Sequence, residues 1–321
     1  MSKVDIDIFP EFCYEVFSAA PYALWLKEQG KLGKITTCKG MKPFYYFCDD
    51  VEEKYDIRSL DNHNNGVQNL PNPWIHHNPK ISNNKNGVQD YSQWVRPPYE
   101  EYYKNDEFVY DKPYIVVYNQ FGKDEMLKPL TRYFDLECLY NVFNILNEKG
   151  YKVIYIRPGE TDFTLDQNDF NRNNISAFGN GIYSDVEGIG KINDHELTDY
   201  YEDVISFNTL LDETDYTFNE LQLKVLANSK GFVTISGGSA ILQLMFQKPS
   251  VIYATCNREL LPEYWDEESY YQVISNNNAI PVIDKNVDIY ERGYQDYSEE
   301  EVLVNCEPFE KGRNHIYLAS Y

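Results

Sequence analysis

The sequence predicts an α/β fold with two units, each built on a parallel sheet. Short apolar runs alternate with segments of helical periodicity along the 321 residues, and this alternation is typical of parallel strands that helices cover on both faces. The length favours about two domains. We therefore expect an N-terminal domain at 1–110, a ligand-binding domain at 111–280, and a C-terminal tail at 281–321 that could pack back on the first domain.

The first unit opens with a βαβ pattern. Residues 4–9 alternate apolar and acidic side chains as a strand does, and 19–30 has the pattern of a helix that ends at a glycine. Residues 35–48 supply further strand material. The stretch 56–107 is rich in Asn, Pro, Trp and His, and we expect it to be irregular and to face a ligand.

The second unit begins with a continuous apolar strand at 114–118. An amphipathic helix follows at 135–150, and a second apolar strand follows at 153–156. Both strands have the composition of strands buried on two faces. Residues 158–196 are polar and Gly-rich, which indicates a long loop.

Residues 220–256, ELQLKVLANSKGFVTISGGSAILQLMFQKPSVIYATC, are the most informative stretch. They predict a helix with Gly231 at its C-cap, a strand at 232–235, a Gly-Gly turn, a helix at 240–247 and a strand at 250–254. The turn is Ser236-Gly237-Gly238-Ser239, in which Ser239 is expected to cap the second helix. The free N–H groups and the positive dipole end of that helix would then suit an anion.

Other polar side chains follow the remaining strands of this unit. In open parallel sheets, ligands bind beyond the carboxyl ends of the strands. We expect cations and amides there to hold a pyrophosphate together with the turn, although each arginine could equally form a surface ion pair. The candidates outside the turn are Asn119, Gln120, Lys123, Arg157, Asn257 and Arg258.

Several of these segments together resemble a known group. They are NQFGKDE, FDLECLYNVFNIL, VIYIRPG, NELQLKVLANSKGFVTISGGSAIL and KPSVIY. They look like the donor-binding half of GT-B glycosyltransferases, distantly similar to heptosyltransferases, over about residues 110–260. The resemblance implies two Rossmann-like domains facing each other across a cleft. It also implies a nucleotide-diphosphate sugar held without a metal or other cofactor against Ser236, Gly237, Gly238, Ser239 and Gln243.

The resemblance also implies the reaction and its base. It is transfer of a hexosyl or pentosyl group to a glycan acceptor, with the domain at 1–110 on the acceptor side. The likeness alone implies inversion at the anomeric carbon. In heptosyltransferases an acidic residue lies six residues before a helix proline, a spacing shared by Glu15 and Pro21, so Glu15 is the first candidate for the carboxylate base and Glu11 the second. The alternative for Glu15 is a solvated carboxylate at a helix start. Further candidates are Asp61, His63, His76 and His77.

Composition excludes several partners. The net charge of -22 argues against nucleic acid and anionic membranes. No apolar run approaches the ~20 residues of a membrane span, and acidic residues among the first thirty argue against a signal peptide. Six separated cysteines without a Cys-x-x-Cys pair favour reduced thiols and a cytoplasmic location.

Three rival interpretations remain. Asp49-Asp50 could be a metal-binding motif of GT-A transferases, but solvated carboxylates at a strand end fit better. Residues 166–169 suggest a calcium loop without its required glycine and glutamate. A non-catalytic glycan- or nucleotide-binding protein is the second class of function, with Trp74, Trp94 and Tyr99 stacking on sugars.

Overall fold

The fold comes from a computed structural model and contains two parallel sheets. The described residues are 2–56, 58–59, 66–71, 74, 93–119, 122–123, 131–132, 134–158, 183–186, 188, 190–254, 265–267 and 269–283. The mixed α/β class predicted from sequence is confirmed. The division into domains at residues 110 and 280 stays a prediction.

The first sheet has three parallel strands in the order β1-β2-β3. They are β1 Val4–Asp7, β2 Leu32–Cys38 and β3 Val51–Tyr55. The strand predicted at 35–48 is wrong beyond residue 38. Gly40 has a positive φ of 81°, which ends the strand, and Lys42–Tyr45 forms a 3-10 turn with a proline in its first turn.

Between β1 and β2 the chain forms one helical segment with three parts. These are α1 Phe12–Tyr14, a π-helical stretch Glu15–Ala19 and α2 Ala20–Glu28. The helix therefore begins at residue 12, seven residues before the predicted start at residue 19. Phe12, Val16 and Phe17 are fully buried, so the apolar side chains that pack this segment begin well before Ala19.

The second sheet has six parallel strands in the order β10-β7-β4-β11-β12-β13. Two small antiparallel pairs, β5 with β6 and β8 with β9, lie outside it. The sheet strands are β4 Tyr114–Tyr118, β7 Lys152–Ile156, β10 Val204–Ser206, β11 Phe232–Ile235, β12 Ser250–Ala254 and β13 Ala279–Ile283. The four others are β5 Gly122–Lys123, β6 Thr131–Arg132, β8 Tyr183–Val186 and β9 Gly190–Asn193.

Helices cover both faces of this sheet. The later helices are α3 Tyr99–Tyr103, α4 Leu136–Glu148, α5 Asp194–Thr198, α6 Phe207–Glu213, α7 Phe218–Asn228, α8 Gly238–Leu244 and α9 Tyr270–Ser275. The predicted helix at 135–150 is confirmed as α4, which Asp135 caps through Cys138 N at 2.7 Å. The predicted loop at 158–196 is wrong in its last part, where β8, β9 and α5 form.

Alternate residues of the central strands point into two apolar clusters. Ile115 and Val117 of β4 pack in one cluster with α4 and α5. Tyr114, Val116 and Tyr118 pack in the other, which also contains the first helical segment and helices α6 to α9. One continuous core therefore joins the N-terminal helices to the second sheet.

Candidate functional site

The six-stranded sheet has its topological switch point between β4 and β11. Numbered in chain order, the strands lie 3-2-1-4-5-6 across the sheet, so β4 and β11 are neighbours whose connections leave in opposite directions. Ligands of open parallel sheets bind in the crevice at the carboxyl ends of such a pair. Asn119 follows β4 and Ser236 follows β11. The Gly-Gly turn predicted as the anion site therefore lies at the switch point.

The turn has a conformation that only glycine adopts easily. Gly237 is the N-cap of α8 with φ 135° and ψ -161°. A Cβ on Gly238 would lie 3.3 Å from Phe12 Cδ1 and 3.7 Å from the backbone N of Cys13. The first helical segment therefore packs directly against the turn, while both glycines stay partly exposed.

The expected cap by Ser239 is wrong. The N-cap residue is Gly237, so Ser239 falls inside the first turn of α8, where it is fully buried. Gly231 also differs from expectation, since Ser229 is the C-cap of α7. A Cβ on Gly231 would lie 2.7 Å from Pro249 O, so this glycine allows close strand packing.

Two buried polar side chains, one directly after β11 and one in the last turn of α8, have no hydrogen-bond partner within the described part of the chain. They are Ser236, through its Oγ, and Gln243, through both atoms of its amide. Ser18 Oγ is in the same condition, and it belongs to the π-helical stretch that packs against α8. Leaving such groups unpaired costs about 1–3 kcal/mol each. A polar ligand at the turn would offer these atoms partners.

Glu15 lies at the centre of a buried polar cluster. Its carboxylate accepts hydrogen bonds from Thr37 Oγ1, from Tyr45 OH at 3.0 Å and from Arg58 Nη1 at 2.5 Å, and the Glu15 and Arg58 side chains are both 0% exposed. The alternative of a solvated helix-start carboxylate is therefore wrong. Burial, and then the Glu15 charge, hold the pKa of Tyr45 well above its usual range.

A short parallel bridge brings Arg58 to this cluster. Ser59 pairs with Pro10 beyond the end of β1, and Ser59 N donates to Phe9 O at 2.8 Å. Arg58 Nη1 also donates to Pro10 O at 2.7 Å, and its guanidinium lies 5.5 Å from the Phe12 ring. The Glu15 carboxylate thus fixes the loop that leads into α1, the helix that contacts Gly238.

Glu11 is placed differently from Glu15. It is the N-cap residue of α1, it is half-buried, and it directly precedes Phe12. Glu11 therefore directly precedes the two residues, Phe12 and Cys13, that contact the position of Gly238. Of the two predicted base candidates, Glu11 is the one that retains access to solvent.

Asn119 and Arg157 belong to a buried network at the carboxyl ends of β4 and β7. Asn119 Nδ2 donates to Tyr155 OH at 3.0 Å and to Phe134 O at 3.1 Å. Tyr155 OH donates to Asp194 Oδ2 at 2.7 Å, and Arg157 forms a two-bond ion pair with the same carboxylate. The alternative of a surface ion pair is therefore wrong for Arg157, whose ion pair with Asp194 is buried.

This network has electrostatic consequences for its members. Burial, and then the Asp194 charge, raise the pKa of Tyr155 well above its usual range, and burial lowers the pKa of His195. Both groups are therefore neutral at pH 7. The network makes Asn119 and Arg157 supports of the sheet edge in this structure, and their contact with a donor stays a prediction.

Sequence reasoning missed Thr37, Tyr45, Arg58 and Asp194. None of them belongs to a motif, and each joins its cluster through contacts that are distant in sequence. Arg58 and Glu15, for example, are 43 positions apart. Lys123 lies in β5, and the structure describes its backbone only. Several predicted candidates fall outside the described residues: Asp61, His63, His76, His77, Gln120, Asn257, Arg258 and the segment 166–169.

Two features are absent from the described ranges, a membrane-spanning helix and a metal-ligand cluster. No helix there is both long enough and apolar enough to cross a bilayer. No group of three or more His, Cys, Asp or Glu residues there is arranged to hold a metal ion.

Three solved structures similar to this chain are glycosyltransferases. One is the glycosyl transferase family 9 from Veillonella parvula, with 11% identity over 97% of this chain and 98% of that chain and a TM-score of 0.46. Another is the iron-containing dodecameric glycosyltransferase TibC from enterotoxigenic E. coli, with 9% identity over 98% and 78% and a TM-score of 0.45. The third is the ADP-heptose lps heptosyltransferase II of E. coli, with 13% identity over 92% and 75% and a TM-score of 0.32.

Neither a protein-family model nor a curated protein matches the sequence.

Proposed function

We propose that this protein is a glycosyltransferase that moves a sugar from a nucleotide-diphosphate sugar to a hydroxyl of a glycan or glycoconjugate. The observation that carries the proposal is the pair of buried, unpartnered side chains, Ser236 at the Gly-Gly turn of the switch point and Gln243 in the last turn of α8. A diphosphate accepts hydrogen bonds from a serine hydroxyl and from exposed backbone N–H groups. An amide with a free donor and a free acceptor suits a sugar hydroxyl, which has both.

The proton acceptor in this proposal is Glu11. Inverting transfer needs a base that reaches the acceptor hydroxyl as it attacks the anomeric carbon. Glu11 is half-buried and directly precedes Phe12, which contacts the position of Gly238, whereas Glu15 is fully buried within its hydrogen-bonded cluster. We therefore assign Glu15 a positioning role, in which it holds Arg58 and the loop before α1.

The departing diphosphate would be stabilised by the turn and by the start of α8. Backbone N–H groups that are already oriented need no rearrangement as charge develops on the leaving group. We further propose, from the resemblance alone, that the reaction proceeds without a metal ion and with inversion at the anomeric carbon. A hexose or a pentose is the proposed sugar.

Thermal-shift screening of the full chain tests this function. The probes are nucleoside diphosphates, their hexose, pentose and heptose esters, and the free nucleosides, each with and without EDTA. ADP-heptose belongs in the set because one similar structure is an ADP-heptose heptosyltransferase. Stabilisation by a diphosphate ester but not by its nucleoside, unchanged by EDTA, supports the proposal. Stabilisation by none of the esters contradicts it.

Non-catalytic glycan binding has less support from the described rings. Trp74 and Tyr99 are 1% and 0% exposed, and Trp94 Nε1 donates to Phe17 O at 2.9 Å. The Trp74 and Tyr99 rings lie inside the core and offer no face to a sugar, and Trp94 is half-buried. Turnover of a donor ester by the wild type, lost in a Glu11→Gln variant that still binds the donor, would distinguish the enzyme from a binding protein.

A further inference from the structure

A cavity lies at the end of the six-stranded sheet opposite the Gly-Gly turn. It has a volume of about 510 Å³, and its lining includes the first residue of β4, Tyr114, together with Lys230, which precedes β11, and Lys248, which precedes β12. These residues mark the amino ends of the strands, whereas Ser236 and Gly237 follow the carboxyl end of β11. The cavity is therefore distinct from the proposed donor site.

The floor of this cavity is held by internal hydrogen bonds. Asn228 Nδ2 donates to Asn105 O at 2.7 Å and to Phe108 O at 3.1 Å, and Asn105 Nδ2 donates to Lys224 O at 3.1 Å. Tyr114 OH donates to Val225 O at 2.6 Å. These bonds fasten the chain around residue 105 to the last turn of α7. The floor is thus rigid before any ligand arrives, which lowers the entropy cost of binding.

Four lysines line the cavity, and two of them are already committed. Lys248 Nζ donates to Leu226 O at 3.1 Å and Ala227 O at 2.6 Å, and it lies 3.3 Å from a Glu100 carboxylate oxygen. Lys112 forms an ion pair with Asp203 at 2.5 Å. These contacts hold the ammonium groups of Lys248 and Lys112 in place along the lining of the cavity.

The other two lysines, Lys104 and Lys230, are exposed at the cavity rim. Neither forms an ion pair with any residue that the structure describes, and both repel the ammonium of Lys248. The lining carboxylates are Glu100, which faces Lys248, and Asp106, which is exposed. In a chain of net charge -22, this is a local excess of positive charge, and a bound anion would relieve the repulsion.

Apolar side chains form the rest of the lining. Phe108 is buried, Tyr110 is half-buried, and Val109 is 64% exposed. The Tyr110 and Tyr114 rings meet edge to face, with centroids 5.6 Å apart. A cavity of this size with an apolar wall and a few charged groups is typical of a site for a small organic ligand.

We propose that this cavity binds a small phosphorylated molecule with a flat apolar part, of the size of a nucleoside monophosphate. The phosphate lies between the ammonium groups of Lys104 and Lys230, and the flat part packs against Tyr110 and Val109. Two ammonium groups match the two charges that a phosphate monoester carries near neutral pH. The site is separate from the proposed transfer site and does not depend on that function.

Isothermal titration of the full chain with AMP and UMP tests the site, with the unphosphorylated nucleosides as ligand controls. Lys104→Gln/Lys230→Gln is the test variant. Lys27→Gln/Lys39→Gln is the matched control, because it removes the same charge at exposed positions outside the cavity. A Gln243→Leu variant separates binding here from binding at the switch point.

We expect the test variant to bind the monophosphate at least tenfold more weakly than the wild type. The matched control and Gln243→Leu should bind it as the wild type does, and the nucleosides should not bind. Unchanged affinity in the test variant, an equal loss in the matched control, or no binding of any monophosphate by the wild type would each overturn the proposal.

Discussion

Gln243 is a buried amide whose donor and acceptor both lack partners within the described part of the chain. Replacing it with Leu removes the cost of these unpaired groups, so the free energy of unfolding should stay the same or rise, by up to about 1–3 kcal/mol. Stabilisation by a nucleotide-diphosphate sugar should be lost. Denaturant unfolding with and without the donor measures both effects.

The matched control for this substitution is Gln272→Leu. The Gln272 amide donates to Ala279 O at 2.9 Å and to Trp265 O at 3.2 Å. Its loss should lower the free energy of unfolding by about 1–2 kcal/mol and leave donor binding intact. If Gln243→Leu behaves like this control, Gln243 serves packing and not binding.

Glu11 and Glu15 should respond differently to the same change. Glu11→Gln should lower turnover by about 10²–10⁴-fold. Glu15→Gln should lower the free energy of unfolding by about 3–5 kcal/mol, because the buried Arg58 charge loses its carboxylate. Donor turnover and urea unfolding of both variants provide the comparison, and full turnover by Glu11→Gln would eliminate it as the base.

Single residues were predicted from sequence only where a local motif marked them. Ser236, Gly237 and Gly238 follow a strand within a continuous βαβ pattern, so their place at the sheet edge was predictable. The partners of Glu15 were not, because Thr37, Tyr45 and Arg58 join it through tertiary contacts.

At the scale of elements, the Gly-Gly turn joins β11 to α8. Its conformation determines whether a ligand can reach the backbone N–H groups at the start of α8. Gly237→Ala should destabilise the protein by about 1–3 kcal/mol, because its φ is 135°, and it should weaken donor binding. Gly150→Ala is the control, since Gly150 also has a positive φ, of 83°, and a Cβ there would meet nothing within 4 Å.

Thermal unfolding and donor titration measure the two glycine variants. Both should lose stability, and only Gly237→Ala should lose affinity for the donor. Equal donor affinity in both variants would show that the turn does not contact the donor.

Lys248 ties the start of β12 to the end of α7 and predicts a pH dependence. Burial lowers its pKa from 10.5 to about 8, opposed by Glu100 and assisted by Lys230 and Lys104. Above pH 8 the unfolded chain keeps this proton and the folded chain does not, so stability from this group should rise with pH. Urea unfolding between pH 8 and 9.5 should show this rise in the wild type and a smaller one in Lys248→Met. Identical slopes would contradict the assignment.

Elements were predicted well where one pattern dominated. The strands β4, β11 and β12 and the helix α4 agree with expectation because apolar runs and helical periodicity determine them. The helical segment at Phe12–Glu28 began earlier than predicted, and the π-helical stretch within it has no sequence signal of its own. The hairpin of β8 and β9 lies in a polar region, where periodicity gives little guidance.

At the scale of the whole molecule, the order of strands assigns the site. Sequence predicted a parallel sheet, but the placement of β4 beside β11 depends on crossovers that no local pattern encodes. That placement brings the Gly-Gly turn to the switch point, and the shared core brings α1 against the turn. A protein with net charge -22 would thus bind an anionic donor through oriented dipoles and local groups.

Crystals of the full chain soaked with a nucleotide-diphosphate sugar provide the most direct test. We predict density for the diphosphate within hydrogen-bond distance of Ser236 Oγ and of the backbone N–H groups at Gly237 and Gly238. The Gln243 amide should be hydrogen-bonded to the ligand. Density for the nucleotide at another place, with Ser236 and Gln243 still unpartnered, would contradict it.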